Sequence, residues 1–276
     1  MKISLCNEVL EPLSFDAQCK LAKSLGYEGL EIAPFTVSDN PEKLTVRDAE
    51  NFRKIAQEEG LVITGLHWLL VTPVGLSITT PHKEIFEKTK NFATKLCELC
   101  HAFGGNYLVH GSPKQRQISA DQTHADALAR AVEFFEHVSN SAQEFKVTYC
   151  IEPLSIDQTP IINKLSEAIE IIEKIQSPHL KTMLDTSSAG LTENISIPQL
   201  IHKFMPTGHI AHVQLNDPNR RGPGQGEMQF GAILEALRTN NYTGELAIEP
   251  FEYLPDGPTC AAQSIGYLKG LFENME

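Results

Sequence analysis

Eight times along the chain a short apolar run of strand length is followed by a stretch with helical periodicity, and this alternation constrains the fold most. The predicted strands are Ile3–Cys6, Gly29–Ala33, Val62–Leu66, Asn106–Val109, Val147–Ile151, Leu180–Leu184, Ile210–Leu215 and Leu246–Ile248. The predicted helices are Phe15–Leu25, Val46–Glu59, Lys83–Phe103, Asp121–Glu144, Asn163–Ile175, Ile197–Phe204, Phe230–Asn240 and Thr259–Phe272. Ser14 stands where an N-cap belongs, and Gly26, Gly60 and Gly104 where helices stop. The inner face of the Lys83–Phe103 helix reads Ile85, Thr89, Phe92, Leu96, Leu99 and Phe103. Strand–helix alternation requires a parallel sheet. Eight units in 276 residues, with no linker composition, predict one domain over 1–276 closed into a (β/α)₈ TIM barrel. An open doubly wound sheet, the alternative, usually carries fewer units.

A barrel gathers its chemistry at the carboxyl ends of its strands. The tripeptide Ile-Glu-Pro occurs twice at such an end, at Ile151-Glu152-Pro153 and Ile248-Glu249-Pro250, where Pro stops the strand and leaves each Glu at its tip. The polar residues at the other strand ends are Asn7 and Glu8, Glu31, His67, His110, Asp185, and Gln214 with Asn216. Each alone reads as a loop or satisfied side chain; the shared register is the signal. Glu152, Asp185, Gln214 and Glu249 follow strands five to eight. Three carboxylates in one pocket repel, and a divalent cation relieves that. Oxygen donors point to a hard ion, Mn²⁺ or Mg²⁺, with Co²⁺ also accommodated, rather than structural zinc. Such an ion acidifies the C–H between a chelated carbonyl and hydroxyl, and two Glu residues can move that proton through an enediolate.

The segments CIEPL at 150–154, MLDTSS at 183–188, HVQLNDPNRR at 212–221 and AIEPFEY at 247–253 resemble the xylose-isomerase-like TIM-barrel superfamily. Within it they are similar to tagatose/psicose 3-epimerases and hydroxypyruvate isomerases. The resemblance covers nearly the whole chain. It implies that Glu152, Asp185, Gln214 and Glu249 hold one divalent metal, that Glu152 and Glu249 are the acid/base pair, and that Arg220 contacts substrate oxygens. The chain departs from the epimerases in having Gln214 and Ser188 where they carry His; the HxQ pattern at 212–214 resembles hydroxypyruvate isomerases instead. The segments GLHWLL at 65–70 and HGSPKQR at 110–116 fit neither group. His67, Asn216 and Ser188 join Arg220 as candidate substrate-binding residues. Lys114 and Arg116 either bind a substrate carboxylate or phosphate or form an exposed basic loop.

The expected activity is metal-dependent isomerisation or epimerisation of a small sugar or keto acid. A dehydratase on the same scaffold, an AP-endonuclease-like hydrolase and a non-catalytic sugar-binding protein are the competing readings. A formal net charge of −12 argues against a nucleic-acid partner. Lys2, Glu8 and Glu11 interrupt any apolar run in residues 1–25, so neither an export signal nor a membrane span is expected. The expected location is the cytoplasm, with the six Cys reduced; a homo-oligomer is compatible with the sequence. Cys97-Glu98-Leu99-Cys100-His101 matches the c-type haem pattern, but in a helical stretch Cys97 and Cys100 read as small core residues. Gly222 to Gly226 reads as a tightly turned or lid segment, without the strand-to-helix context of a dinucleotide loop.

Overall fold

The computed structural model describes residues 1–273 and 275. Eight parallel strands close into a barrel in sequence order: β1 Lys2–Cys6, β2 Gly29–Ile32, β3 Val62–Leu66, β4 Tyr107–His110, β5 Thr148–Ile151, β6 Leu180–Asp185, β7 Ile210–Leu215 and β8 Glu245–Ile248. The ring is shut by β1 on β8, with Lys2 opposite Glu245 and Leu5 opposite Ile248. The helices are α1 Phe15–Leu25, α2 Pro34–Val37, α3 Val46–Glu58, α4 Lys83–Phe103, α5 His124–Glu144, α6 Leu165–Ile175, α7 Thr186–Thr192, α8 Ile197–Phe204, α9 Phe230–Thr239 and α10 Gly257–Glu273. Among the described residues no helix is long and apolar enough to cross a membrane.

Local chemistry explains where the elements begin and end. Gly26 closes α1 in the left-handed region at φ 93°, as a helix-stopping glycine should. Ser14 does occupy the N-cap position of α1, but its side chain makes no capping bond. Helix α5 starts at His124 rather than Asp121, because the Thr123 hydroxyl accepts from the Asp126 amide and fixes the cap there. Helix α7 has no apolar period; Asp185 nucleates it, its Oδ1 accepting from the Ser188 amide at 2.6 Å. Ile85 lies in the first turn of α4 and is 36% exposed, whereas Thr89, Phe92, Leu96, Leu99 and Phe103 are buried as expected. Cys97 and Cys100 are both buried in the core and unpaired.

Two register shifts aim side chains inward. One falls between Leu30 and Glu31, opposite Thr64; the other between Thr182 and Met183, opposite Ala211. The lower interior packs Tyr107, Val109, Cys150 and Met183. Tyr107 lies flat against Gly65, where a Cβ would strike its ring, and stacks on His212 with ring centroids 4.0 Å apart. The barrel centre is therefore polar above this layer, where most barrels continue with branched apolar side chains.

Candidate active site

The polar interior is built around Glu31, which is fully buried. Its Oε2 accepts from the Tyr107 hydroxyl at 2.6 Å and lies 2.8 Å from His212 Nε2; its Oε1 accepts from Gln214 Nε2 at 2.7 Å. Burial alone would raise this carboxyl, but the neighbouring His212 and the Tyr107 bond hold it down at about 2. One level up, His67 bridges two carboxylates, with Nε2 3.0 Å from Glu8 and Nδ1 2.9 Å from Glu249 Oε1. Burial opposes a charge on His67, yet Glu8 and Glu249 outweigh it and raise its affinity for a proton. Trp68 Nε1 also donates to Glu249 Oε1, at 3.0 Å, from a residue with φ 51°.

Glu152, Asp185 and Glu249 meet with one carboxylate oxygen from each inside a 4.8 Å circle. Gln214 is the β-ladder partner of Asp185, so the amide stands beside the carboxylates at the same level. Burial pushes all three acids up: Asp185 to about 6, Glu249 to about 8, and Glu152 well above the usual range. The mutual repulsion of the acids adds to burial at Glu152, against the Arg116 charge. Among the described residues, Asp185 Oδ2, Gln214 Oε1 and Glu249 Oε2 are buried oxygens without a hydrogen-bond partner. Orphaned buried acceptors are costly and uncommon. Their convergence with Glu152 fits a hard divalent cation, which would supply the missing partner to each.

Above these groups opens a cleft of about 270 Å³ walled by Trp68, Pro113, Leu154, Leu191, Pro218 and Phe251, with Glu152, Asp185 and Glu249 at its base. Arg220 reaches this wall and lies 5.0 Å over the Phe251 ring; Ser188 lines it too. A larger groove of about 530 Å³ lies outside the barrel between α5 and α6. Its lining is mostly apolar and it gathers no cluster of candidate ligands, so the chemistry belongs to the inner cleft.

Several residues expected at the site stand elsewhere. His67 is under the base of the cleft and reaches substrate space only through Glu249. Asn216 is buried, spent on the Glu249 carbonyl and the Ser187 amide. Lys114 is exposed and does not line the cleft. Arg116, expected either to bind substrate or to lie on an exposed basic loop, does neither: it is fully buried, donating to the main-chain carbonyls of Glu152 and His110. His110 falls outside the barrel, because Tyr107 and Val109 take the inward positions of β4. Its ring sits among Phe134, Phe135 and Tyr149, 2.7 Å from the Tyr149 hydroxyl, and burial keeps it neutral. The segment 222–226 is a tight packed turn: Gly222 abuts Ser264, Gly226 abuts Asp217, and Gly224 sits at φ 82° against Tyr267. Trp68, Phe251, Leu154 and Leu191 were not singled out by sequence reasoning; Trp68 directly follows His67 and Phe251 stands two residues after Glu249, which was the available signal.

The segment 110–116 cradles Glu152. The Glu152 Oε2 occupies the space that a Cβ on Gly111 would need. Gly111 has an ordinary φ, so Gly111→Ala is expected to fold normally and to push the carboxylate aside. Its Mn²⁺ affinity, measured by calorimetry, should fall by about tenfold or more, as displaced ligands and their supports typically cost. Affinity equal to the parent protein would show that Glu152 does not need this position to bind an ion.

Comparisons with known proteins identify the relatives of this fold. The D-psicose 3-epimerase of Agrobacterium fabrum (strain C58) is 28% identical over 239 residues, 84% of this chain and 77% of the relative. The 3-dehydro-D-guloside 4-epimerase of Escherichia coli (strain K12) is 24% identical over 277 residues, covering 98% and 99% of the two chains. The crystal structure of the apo 3-keto-D-glucoside 4-epimerase from E. coli superposes with a TM-score of 0.85 at 20% identity, covering 98% of this chain and 99% of that one. Relatives named as epimerases and isomerases mark this protein as an enzyme of the isomerase class. Residues 19–271 match the family described as xylose isomerase-like TIM barrel, and the chain belongs to that family.

Proposed function

We propose that the protein epimerises or isomerises a small keto sugar with the help of one divalent ion, Mn²⁺ or Mg²⁺ by donor chemistry and Co²⁺ as an alternative. The ligands in this reading are Glu152, Asp185, Gln214 and Glu249. The observation that carries it is the set of buried, unpartnered oxygens on Asp185, Gln214 and Glu249 beside the Glu152 carboxylate. When bound, the ion supplies Lewis-acid polarisation of a carbonyl and its neighbouring hydroxyl.

The side chains divide the remaining work. His67 and Trp68 hold Glu249 through Oε1, fixing at the base of the cleft the carboxylate that exchanges a proton with substrate. Glu152 is oriented by Gly111 beneath it and by Arg116 behind its main chain. Returning the proton to the same carbon from the other face gives epimerisation; returning it to the neighbouring carbon gives isomerisation. Trp68, Phe251, Leu154 and Leu191 keep water from the reacting atoms. Arg220 binds substrate oxygens from the wall, with Phe251 fixing its guanidinium plane.

The test is a panel of ketoses, aldoses, 3-keto-glycosides and 2-keto acids incubated in heavy water with Mn²⁺. Proton NMR should show deuterium entering one carbon beside a carbonyl, with an epimer or isomer formed and no change in mass beyond deuterium. A product lighter by one water would replace this reading with a dehydratase. No exchange into any of the four classes would overturn it.

A further inference from the structure

We infer that Glu31 is a positioning residue that decides which end of the Gln214 amide is available to a cation. The inference rests on the ligand reading above. An amide side chain has a donor end and an acceptor end of nearly equal size, so nothing in its shape selects one orientation. Only the carbonyl end can ligate a cation; the NH₂ end repels it. Gln214 therefore needs something to fix its orientation if it is to serve at this position.

Glu31 supplies that. Its two oxygens accept from the Tyr107 hydroxyl and from Gln214 Nε2, and His212 Nε2 lies 2.8 Å from the same Oε2 that Tyr107 bonds. An ionised carboxylate accepts and cannot donate, so the NH₂ end of Gln214 is held against it. The carbonyl end is turned away, and Gln214 Oε1 is left buried with no partner. Cys6 Sγ, 4.0 Å from Gln214 Nε2, is on the same side as Glu31 and offers Oε1 nothing. The arrangement parallels the carboxylate–histidine–metal pattern, in which an outer carboxylate fixes the tautomer of the ligand. Here the outer carboxylate fixes an amide flip.

The experiment exchanges the two partners. In Glu31→Gln the outer residue can donate as well as accept, so the Gln214 amide is free to present either end. In Glu31→Gln/Gln214→Glu the donor and acceptor change places, and an oxygen again faces the cation while the hydrogen bond between the two residues is kept. Mn²⁺ binding to the metal-free proteins is followed by calorimetry and by the loss of the free-ion electron-resonance signal, with circular dichroism reporting the fold. The parent protein should bind one Mn²⁺. Glu31→Gln should bind it about tenfold to a hundredfold more weakly, the range seen when an outer-shell partner is removed. The exchanged double variant should recover most of that loss.

Affinity in Glu31→Gln equal to the parent would overturn the inference. So would a weakened single variant that the exchange does not rescue, because Glu31 would then matter only for folding. If Glu31→Gln does not fold, the double variant decides alone: folding with near-parental Mn²⁺ affinity supports the inference, and any other result rejects it. A parent protein that binds no Mn²⁺, Mg²⁺ or Co²⁺ would refute the ligand reading itself, and the two failures are thereby told apart.

Discussion

Glu249→Gln and Glu152→Gln should each lower proton exchange between substrate and solvent by about 10²–10⁴-fold, the usual worth of a placed proton-transfer group. The substitution keeps the size of the side chain and one oxygen but removes the ability to take a proton at neutral pH. At position 249 the amide oxygen can still accept from His67 and Trp68, which hold Oε1 in the parent protein, so the fold should survive. At position 152 the Arg116 guanidinium holds the main-chain carbonyl rather than the carboxylate, and that contact is also untouched. A structural lesion would lower melting temperature and activity together; these variants should keep a cooperative fold and lose turnover far beyond any change in stability. The double variant should show no exchange above background. Its loss should be less than the product of the two single losses, because both groups serve one reaction. Deuterium uptake from heavy water into the substrate found by the panel is the measurement. Exchange at the parental rate in both single variants would remove the acid/base assignment while leaving the fold untouched.

Why these two carboxylates were legible in the sequence, and others of equal interest were not, has a physical reason. Glu152 and Glu249 each end a strand at a proline, so their place in the barrel follows from local chain chemistry. Asp185 and Gln214 follow from the same register, and the ladder does pair them. His110 was misplaced because strand-end position does not state which side of the sheet a residue faces. One residue of register separates the barrel interior from the helical layer, and Tyr107 and Val109 take the inner positions of β4. Arg116 is hidden from sequence reasoning for another reason. A basic residue between Pro113 and Gln117 reads as solvated loop, and only the tertiary path shows it plugging two carbonyls where β4 and β5 part. Helix α7 escaped notice because small polar residues carry no apolar period; its start is set by Asp185, a side chain expected to serve the site instead. In the structure Asp185 caps through Oδ1 and leaves Oδ2 without a partner. Helix stops at glycine and the long amphipathic stretches, which depend on nearest neighbours, agree with the expected bounds to within three residues.

A divalent ion should stabilise this protein much more at pH 8 than at pH 5, and removing the ion should expose an unusual fall in stability as pH rises. Burial is the first cause, with Asp185 and Glu8 adding to it against His67, that raises the Glu249 carboxyl from its ordinary 4.5 to about 8. Burial likewise raises Asp185 from 3.8 to about 6. Both folded values exceed the unfolded ones, so the ion-free native state holds protons that the unfolded chain has released. The stability contributed by these groups is then fully present below about pH 4, and it is lost as pH rises through about 6 and then about 8. Within that window each carboxyl costs about 1.4 kcal/mol per pH unit. His67, whose folded value is also raised, acts in the same direction, while His110, whose value is lowered, acts oppositely below its ordinary 6.5. Neither needs to be apportioned, because the informative quantity is the difference between ion-loaded and chelated protein at each pH. An ion binds the carboxylates only when they are deprotonated, so protons compete with it at pH 5 and no longer do at pH 8. At a hundredfold excess over the dissociation constant the ion adds about 2.7 kcal/mol. For a chain of this size that is a rise of roughly 5–10 °C in melting temperature. Melting curves with EDTA, Mg²⁺ or Mn²⁺ from pH 5 to 8 should therefore diverge as pH increases. Glu249→Gln, which removes a carboxyl raised to about 8, should flatten the ion-free curve and shrink the divergence. Ion-loaded and chelated curves that stay parallel across the whole range would mean that these carboxylates do not share a cation.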